Sequence, residues 1–250
     1  MTLRERALET LMSEEHIAFF NKLRNDELVI DGSFRDAREY SAMGYEPYTG
    51  LTKVVFIFDD FVIKKSFSKK VMWNNGTVKL EDACQVEYEV YKKAKEYGLK
   101  DFFFEVDYLD SGIYVQEKCS ESLQESREDY NDDIYPEWVD RKLYTEAEAE
   151  DAVYDLVEEL SSEERDVDFD EEATVEDVVK FIDSYLKPEC VANFCSSYDS
   201  LRMIDLAKFL YRYDVTDIHD ANVGFDDDYR LRIFDFSGYH SMTKENLSKY

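Results

Sequence analysis

An α+β fold, with a small antiparallel sheet ahead of a helical half, is what the pattern of this chain predicts. Three observations carry it. Residues 50–118 read strand, strand, helix, strand, strand. Residues 121–215 read helical and acidic. Gly (8) and Pro (3) are scarce among 250 residues, which disfavours an all-β chain with many tight turns.

Taken in order, residues 3–24 carry Leu8, Leu11, Met12, Ile17, Phe20 and Leu23 at helical steps, with Ser13 placed to cap a second helix. Residues 28–50 read as loops and a short strand. Lys53–Phe58 and Phe61–Lys65 are two β-rich runs joined by Asp59 and Asp60, a hairpin by composition. A Lys/Asn/Gly loop follows. Val86, Val90 and Ala94 then predict a helix over about 81–97, which Gly98 stops. Phe102–Leu109 and Ile113–Lys118, joined through Asp110, Ser111 and Gly112, read as a second hairpin. Val175, Val178, Val179, Ile182 and Leu186 predict one helix, and 201–213 the most apolar one. Residues 223–236 alternate again around the acidic turn Asp226–Asp228, a third hairpin. No repeat or heptad pattern occurs.

Charge narrows the function classes. There are 58 acidic and 30 basic residues, a net charge of −28. Such a chain repels phosphates and anionic lipid heads, so a general nucleic-acid or membrane-surface binder is excluded. Yet 44% hydrophobic and 15% aromatic residues mark a chain with a core, unlike disordered acidic tracts. The acid is concentrated: residues 121–177 hold 24 acidic and 4 basic residues, and the rest hold 34 and 26. That segment reads as a solvated insertion, with docking of a basic protein partner as the alternative. Cys84, Cys119, Cys190 and Cys195 form no CxxC pair and have no zinc-like spacing. No apolar run reaches signal-peptide or membrane-span length. The expectation is a reduced, cytoplasmic chain.

The densest polar cluster is Thr216-Asp217-Ile218-His219-Asp220-Ala221-Asn222, followed after one hairpin by Asp235-Phe236-Ser237-Gly238. Two carboxylates and an amide brought together by a hairpin suit Mg²⁺ binding and the alignment of a hydroxyl. Plain turn chemistry is the competing reading, because Asp and Asn cap loop backbone.

Order and spacing add to this. Asp217 and Asn222 are five residues apart, as in the catalytic loops of protein kinases and of aminoglycoside and choline phosphotransferases. Asn222 and Asp235 are thirteen apart, the usual gap to the Asp-Phe-Gly motif. His219 gives the Asp-x-His-x-x-Asn form of small-molecule kinases. Phe61-Val62-Ile63-Lys64 resembles the strand-borne Val-Ala-Ile-Lys. Glu87, with Val90, Tyr91 and Ala94 after it, resembles the helix Glu that pairs with that Lys. Tyr114–Lys118 falls where the hinge belongs. From about 50 to 238 the chain thus resembles the two-lobed protein kinase-like superfamily.

The resemblance implies a layout: a helical extension over 1–49, an N-lobe over 50–118 and a reduced helical C-lobe over 119–250. It also implies roles. Lys64 would hold the ATP phosphates and Glu87 would orient it. Asp217 would align the attacking hydroxyl. Asn222 and Asp235 would ligate Mg²⁺. Gly50 would lie near the phosphates, and Gln116 and Glu117 beside the nucleotide. The acceptor, whether a small molecule or a protein, stays unnamed.

Alternatives stand beside each role. Lys65 competes with Lys64, and Glu89 with Glu87. His219 reads as a loop histidine bonded to backbone. The aromatic residues read as packing. There are also departures. The Gly-rich loop is reduced to Gly50, Val215 replaces the His of His-Arg-Asp, and no Ala-Pro-Glu motif occurs in the twelve residues after Gly238. These resemble the trimmed RIO and lipopolysaccharide sugar kinases. They also support a pseudokinase acting as an interaction module. An acidic decoy for a basic partner is a third reading, and it leaves the ordered motifs unexplained.

Overall fold

A computed structural model describes residues 1–30, 34, 36–50, 52–72, 76–78, 82–124, 151, 154–156, 158, 190, 191, 193, 194, 198, 200–213, 215, 216 and 218–236. The fold is mixed α+β, built on a five-stranded antiparallel sheet and several helices. The chain divides into two compact units: residues 1–93 with 104–118, and residues 94–103 with 119–250.

The first unit begins with α1 (Leu3–Leu11) and α2 (Ile17–Asn25). A capping box starts α1. The Glu5 amide donates to Thr2 Oγ1 at 3.2 Å, and the Thr2 amide donates to Glu5 Oε2 at 2.8 Å. Ser13 does not cap α2. His16 stands at the N-cap position without a side-chain bond, and Ser13 offers its carbonyl to the Ile17 amide at 2.9 Å. Next come β1 (Val29–Ile30), α3 (Ala37–Ala42) and β2 (Pro47–Thr49). Strands β3 (Lys53–Ile57) and β4 (Phe61–Ser66) form the first expected hairpin, and Lys53 faces Ser66 across it.

The stretch expected as a Lys/Asn/Gly loop instead contains β5 (Lys69–Met72) and β6 (Gly76–Val78). They join β1 in a separate sheet, with β1 parallel to β5. Local periodicity cannot reveal such a pairing, because its partner lies some forty residues upstream. Helix α4 (Ala83–Glu96) follows, then β7 (Val106–Asp110) and β8 (Ile113–Glu117). Ser111 and Gly112 turn this hairpin with φ of 51° and 72°, the two left-handed residues of a type I′ turn. The sheet order is β2-β3-β4-β8-β7.

Alternation sorts this sheet into two faces. Val54, Phe56, Phe61, Ile63, Ile113 and Val115 pack into one buried cluster with the apolar stripes of α1 and α2. Phe19 anchors that cluster, meeting Tyr40, Tyr45 and Phe56 with ring centroids 4.1–5.8 Å apart. The opposite face carries Lys53, Val55, Lys64, Ser66, Tyr114 and Gln116.

In the second unit, α4 ends as a Schellman motif. The Leu99 amide reaches Ala94 O at 2.7 Å and the Gly98 amide reaches Lys95 O at 3.2 Å. Helix α5 (Ser200–Arg212) buries Met203, Leu206 and Leu210. Phe102 stacks on Tyr198 at 4.1 Å, and Tyr198 donates to Asp101 O at 2.7 Å. Strands β9 (Glu121–Ser122), β10 (Val223–Phe225) and β11 (Leu231–Ile233) make a second antiparallel sheet. Residues 121 and 122 are therefore strand, not the helix their acidity suggested. Gly224 is needed there, because a Cβ would collide with Cys119 Sγ and the Glu121 carbonyl. The expected helix over 175–186 and most of the acidic segment 121–177 lie outside the described residues. Among the described residues, no helix is long and apolar enough to cross a membrane.

Candidate functional site

The first unit holds a buried ion cluster on the sheet face turned from the hydrophobic core. Lys64 stands in the middle of β4, paired with Val55 on one side and Tyr114 on the other. Lys53 starts β3 on the same face. Glu87 lies one turn into α4. Lys64 Nζ donates to Glu87 Oε2 at 3.1 Å, and Lys53 Nζ donates to Glu87 Oε1. The three residues are 3%, 4% and 0% exposed for Lys64, Lys53 and Glu87. A carboxylate removed from water this completely needs both bonds, because an unpaired buried charge costs several kcal/mol, about 3–5 when one partner is deleted.

The same strand sets the position of Glu87. Ser66, two residues after Lys64, donates to Asp82 Oδ1 at 2.7 Å and accepts from the Cys84 amide at 2.9 Å. Asp82 in turn accepts from the Gln85 amide at 3.0 Å, as an N-cap carboxylate does. The start of α4 is thereby fastened to β4, and Glu87 follows within a turn. Cys84 is buried beside this cluster. Burial, then the Glu87 carboxylate, pushes its thiol up to about 12.

Both competing residues serve elsewhere. Lys65 points to the opposite face and donates to Leu23 O at 2.5 Å and Asp26 O at 2.9 Å, the carbonyl end of α2. Burial lowers its ammonium pKa from the ordinary value. Glu89 faces solvent and pairs with Lys92 at 2.9 Å. Gly50 is exposed, and its amide donates to Lys53 O at 3.0 Å across the turn between β2 and β3. Gln116 is buried, opposite Val62 and Val106. The Glu117 amide is occupied by Glu105 O at 2.9 Å. Lys53 is the residue that sequence reasoning missed. The signal was present: pairing Val55 with Lys64 puts Lys53, two residues earlier, on the same face.

The second unit assembles Asn222 and Asp235. A single 3₁₀ turn (Asp220–Asn222) precedes β10. The Asn222 carbonyl accepts from the amides of Phe234 and Asp235 at 3.0 and 3.3 Å, so backbone hydrogen bonds draw the two residues together. His219 accepts from the Ala221 amide through Nδ1 at 3.2 Å, and its Nε2 lies 3.1 Å from Asn222 Nδ2. Its contacts are those of a loop-shaping residue. Nearby Asp226 belongs to the hairpin turn, held by Arg232 at 2.9 Å and Arg230 at 3.1 Å.

An amide oxygen and a carboxylate on adjacent backbone are hard donors, which fits Mg²⁺. Among the described residues, no group of three His, Cys, Asp or Glu converges as a full metal shell. Asp217, the expected hydroxyl-aligning residue, lies outside the described residues, as does Gly238. No protein-family model matches the chain, and comparison with curated proteins gives no match.

Proposed function

We propose that this chain is an ATP- and Mg²⁺-dependent phosphotransferase with the two-lobed kinase-like fold, moving a γ-phosphate to a hydroxyl acceptor. The observation that carries the reading is the buried pair of Lys64 on β4 and Glu87 on α4. A lysine on the third strand of a five-stranded sheet, oriented by a glutamate on the helix that follows, is the arrangement phosphoryl transfer uses to fix a cation on nucleotide phosphates. In this reading Lys64 holds the phosphates and Asp217 aligns the acceptor hydroxyl. Asn222 and Asp235 hold the Mg²⁺, which neutralises phosphate charge.

Thermal unfolding with increasing ATP and Mg²⁺ tests it. Binding raises the melting temperature, since nucleotide at about 100 times Kd adds about 2.7 kcal/mol. An unchanged melting temperature at millimolar nucleotide contradicts the reading. Asp217→Ala is expected to abolish turnover and retain binding.

One observation favours a second reading, a pseudokinase serving as an interaction module. The Gly50 amide is spent on Lys53 O, so this one donor of the turn is already engaged within the chain. That reading predicts partner binding that persists in the Asp217→Ala, Asp235→Ala double variant.

A further inference from the structure

Strand β4 meets helix α4 at two points that differ in kind. At one, Lys64 Nζ donates to Glu87 Oε2 at 3.1 Å. At the other, Ser66 bonds to the start of the helix. Its hydroxyl donates to Asp82 Oδ1 at 2.7 Å and accepts from the Cys84 amide at 2.9 Å. Asp82 is the N-cap residue. Its carbonyl accepts from the Val86 amide at 3.0 Å, and its side chain accepts from the Gln85 amide at 3.0 Å. One early amide of α4 is thus satisfied by the helix's own cap and another by a residue of the sheet.

The two points match in spacing. Lys64 to Ser66 is one step along a strand face, about 6.6 Å. Asp82 and Glu87 are five residues apart, about 7.5 Å of helical rise. The helix runs against the strand, so its cap lies at Ser66 and Glu87 comes level with Lys64. Val86, Val90 and Ala94 are buried, but apolar burial is non-directional. A flexible lysine stem follows a carboxylate over a range of helix positions. The short Ser66 side chain does not. Its bonds to two groups at the helix start fix where α4 begins and how it is rotated.

We propose that Ser66 is a positioning residue. Through its clasp on Asp82 and Cys84 it sets the register of α4, and so holds Glu87 where it aims Lys64 at the phosphates of a nucleotide. This rests on the nucleotide reading above. Ser66 touches no ligand in this scheme and acts through Glu87 and Lys64. Loss of its hydroxyl weakens ligands that carry phosphates and leaves a bare nucleoside unaffected.

Calorimetric titration of MgATP and of adenosine tests it, with each protein held below its own melting temperature. Ser66→Ala is expected to weaken MgATP by about 3–10-fold, the size of a neutral hydrogen bond, and to leave adenosine unchanged. Ser66→Thr keeps the hydroxyl and restores most of the loss. A second arm repeats Ser66→Ala in the Lys64→Met background. There the clasp has no lysine to position, and MgATP affinity is expected to change by less than about twofold. Should Ser66→Ala fail to fold, Asp82 gives access to the clasp from the helix side. Asp82→Asn keeps both hydrogen bonds and the MgATP affinity, whereas Asp82→Ala loses them and reproduces the weakening.

Unchanged MgATP affinity in Ser66→Ala overturns the proposal and leaves the nucleotide reading standing. Equal weakening with and without Lys64, or equal weakening of MgATP and adenosine, marks Ser66 as structural and also overturns it. Absence of saturable MgATP binding to the unaltered chain overturns both.

Discussion

The lysine cluster of the first unit and the Asn222–Asp235 pair of the second are held in opposite ways. Lys53, Lys64 and Glu87 are almost fully buried and are joined through their side-chain charges. Asn222 and Asp235 are half-buried and are brought together through backbone, by one carbonyl receiving two amides. Side-chain charge is thus structural in the first place, whereas in the second the approach of the two residues is set by main-chain hydrogen bonds that substitution of a side chain does not remove. Substitution must cost fold stability at the cluster.

The largest expected effect follows at Glu87. Glu87→Ala leaves two ammonium groups without the carboxylate between them, and urea unfolding is expected to show a loss of about 3–5 kcal/mol. A loss under about 1 kcal/mol breaks the contrast. Gly224→Ala comes next, because its methyl must displace Cys119 and the β9 backbone. Overpacking of this kind costs about 1–3 kcal/mol, read as a lower urea midpoint. At the pair, the backbone hydrogen bonds that place Asp235 survive Asp235→Ala, and its expected signature is the loss of the Mg²⁺-dependent part of ATP stabilisation.

A further expected effect is alkaline. Burial raises the Cys84 thiol from its ordinary value near 9 to about 12 in the fold. A group whose folded pKa is raised stabilises below its unfolded pKa, and that contribution is lost as pH rises through the folded value. Stability is therefore expected to fall between about pH 9 and 12, and less so in Cys84→Ala. Equal alkaline slopes for the two proteins contradict the assignment.

Long periodic elements were legible in the sequence. The stripe of Val86, Val90 and Ala94 with Gly98 after it marked α4, and the turn residues around 59–60 and 111–112 marked both hairpins. Elements defined by a distant partner were not. Strands β1 and β9 are two residues each, too short to show a period, and β5 with β6 hides inside a polar run. The break between α1 and α2 was legible at Ser13, but the residue standing at the α2 cap, His16, was not. At the candidate site, Lys64 and Glu87 stood out by residue type and order, and the structure brings them into contact. Lys53 did not stand out, because its relevance depends on hairpin register. Glu87 was preferred to Glu89 for the Val90, Tyr91 and Ala94 that follow it, and in the structure it is Glu87 that meets the sheet while Glu89 pairs with Lys92.

Calorimetric titration of MgATP into the unaltered chain and into Lys64→Met tests the central claim most directly. Lys64→Met keeps Glu87 paired with Lys53 and so preserves a counter-charge in the fold. Saturable binding is expected for the unaltered chain, with ATP affinity at least about tenfold weaker in Lys64→Met. No binding to the unaltered chain, or equal affinity in the two proteins, contradicts the account.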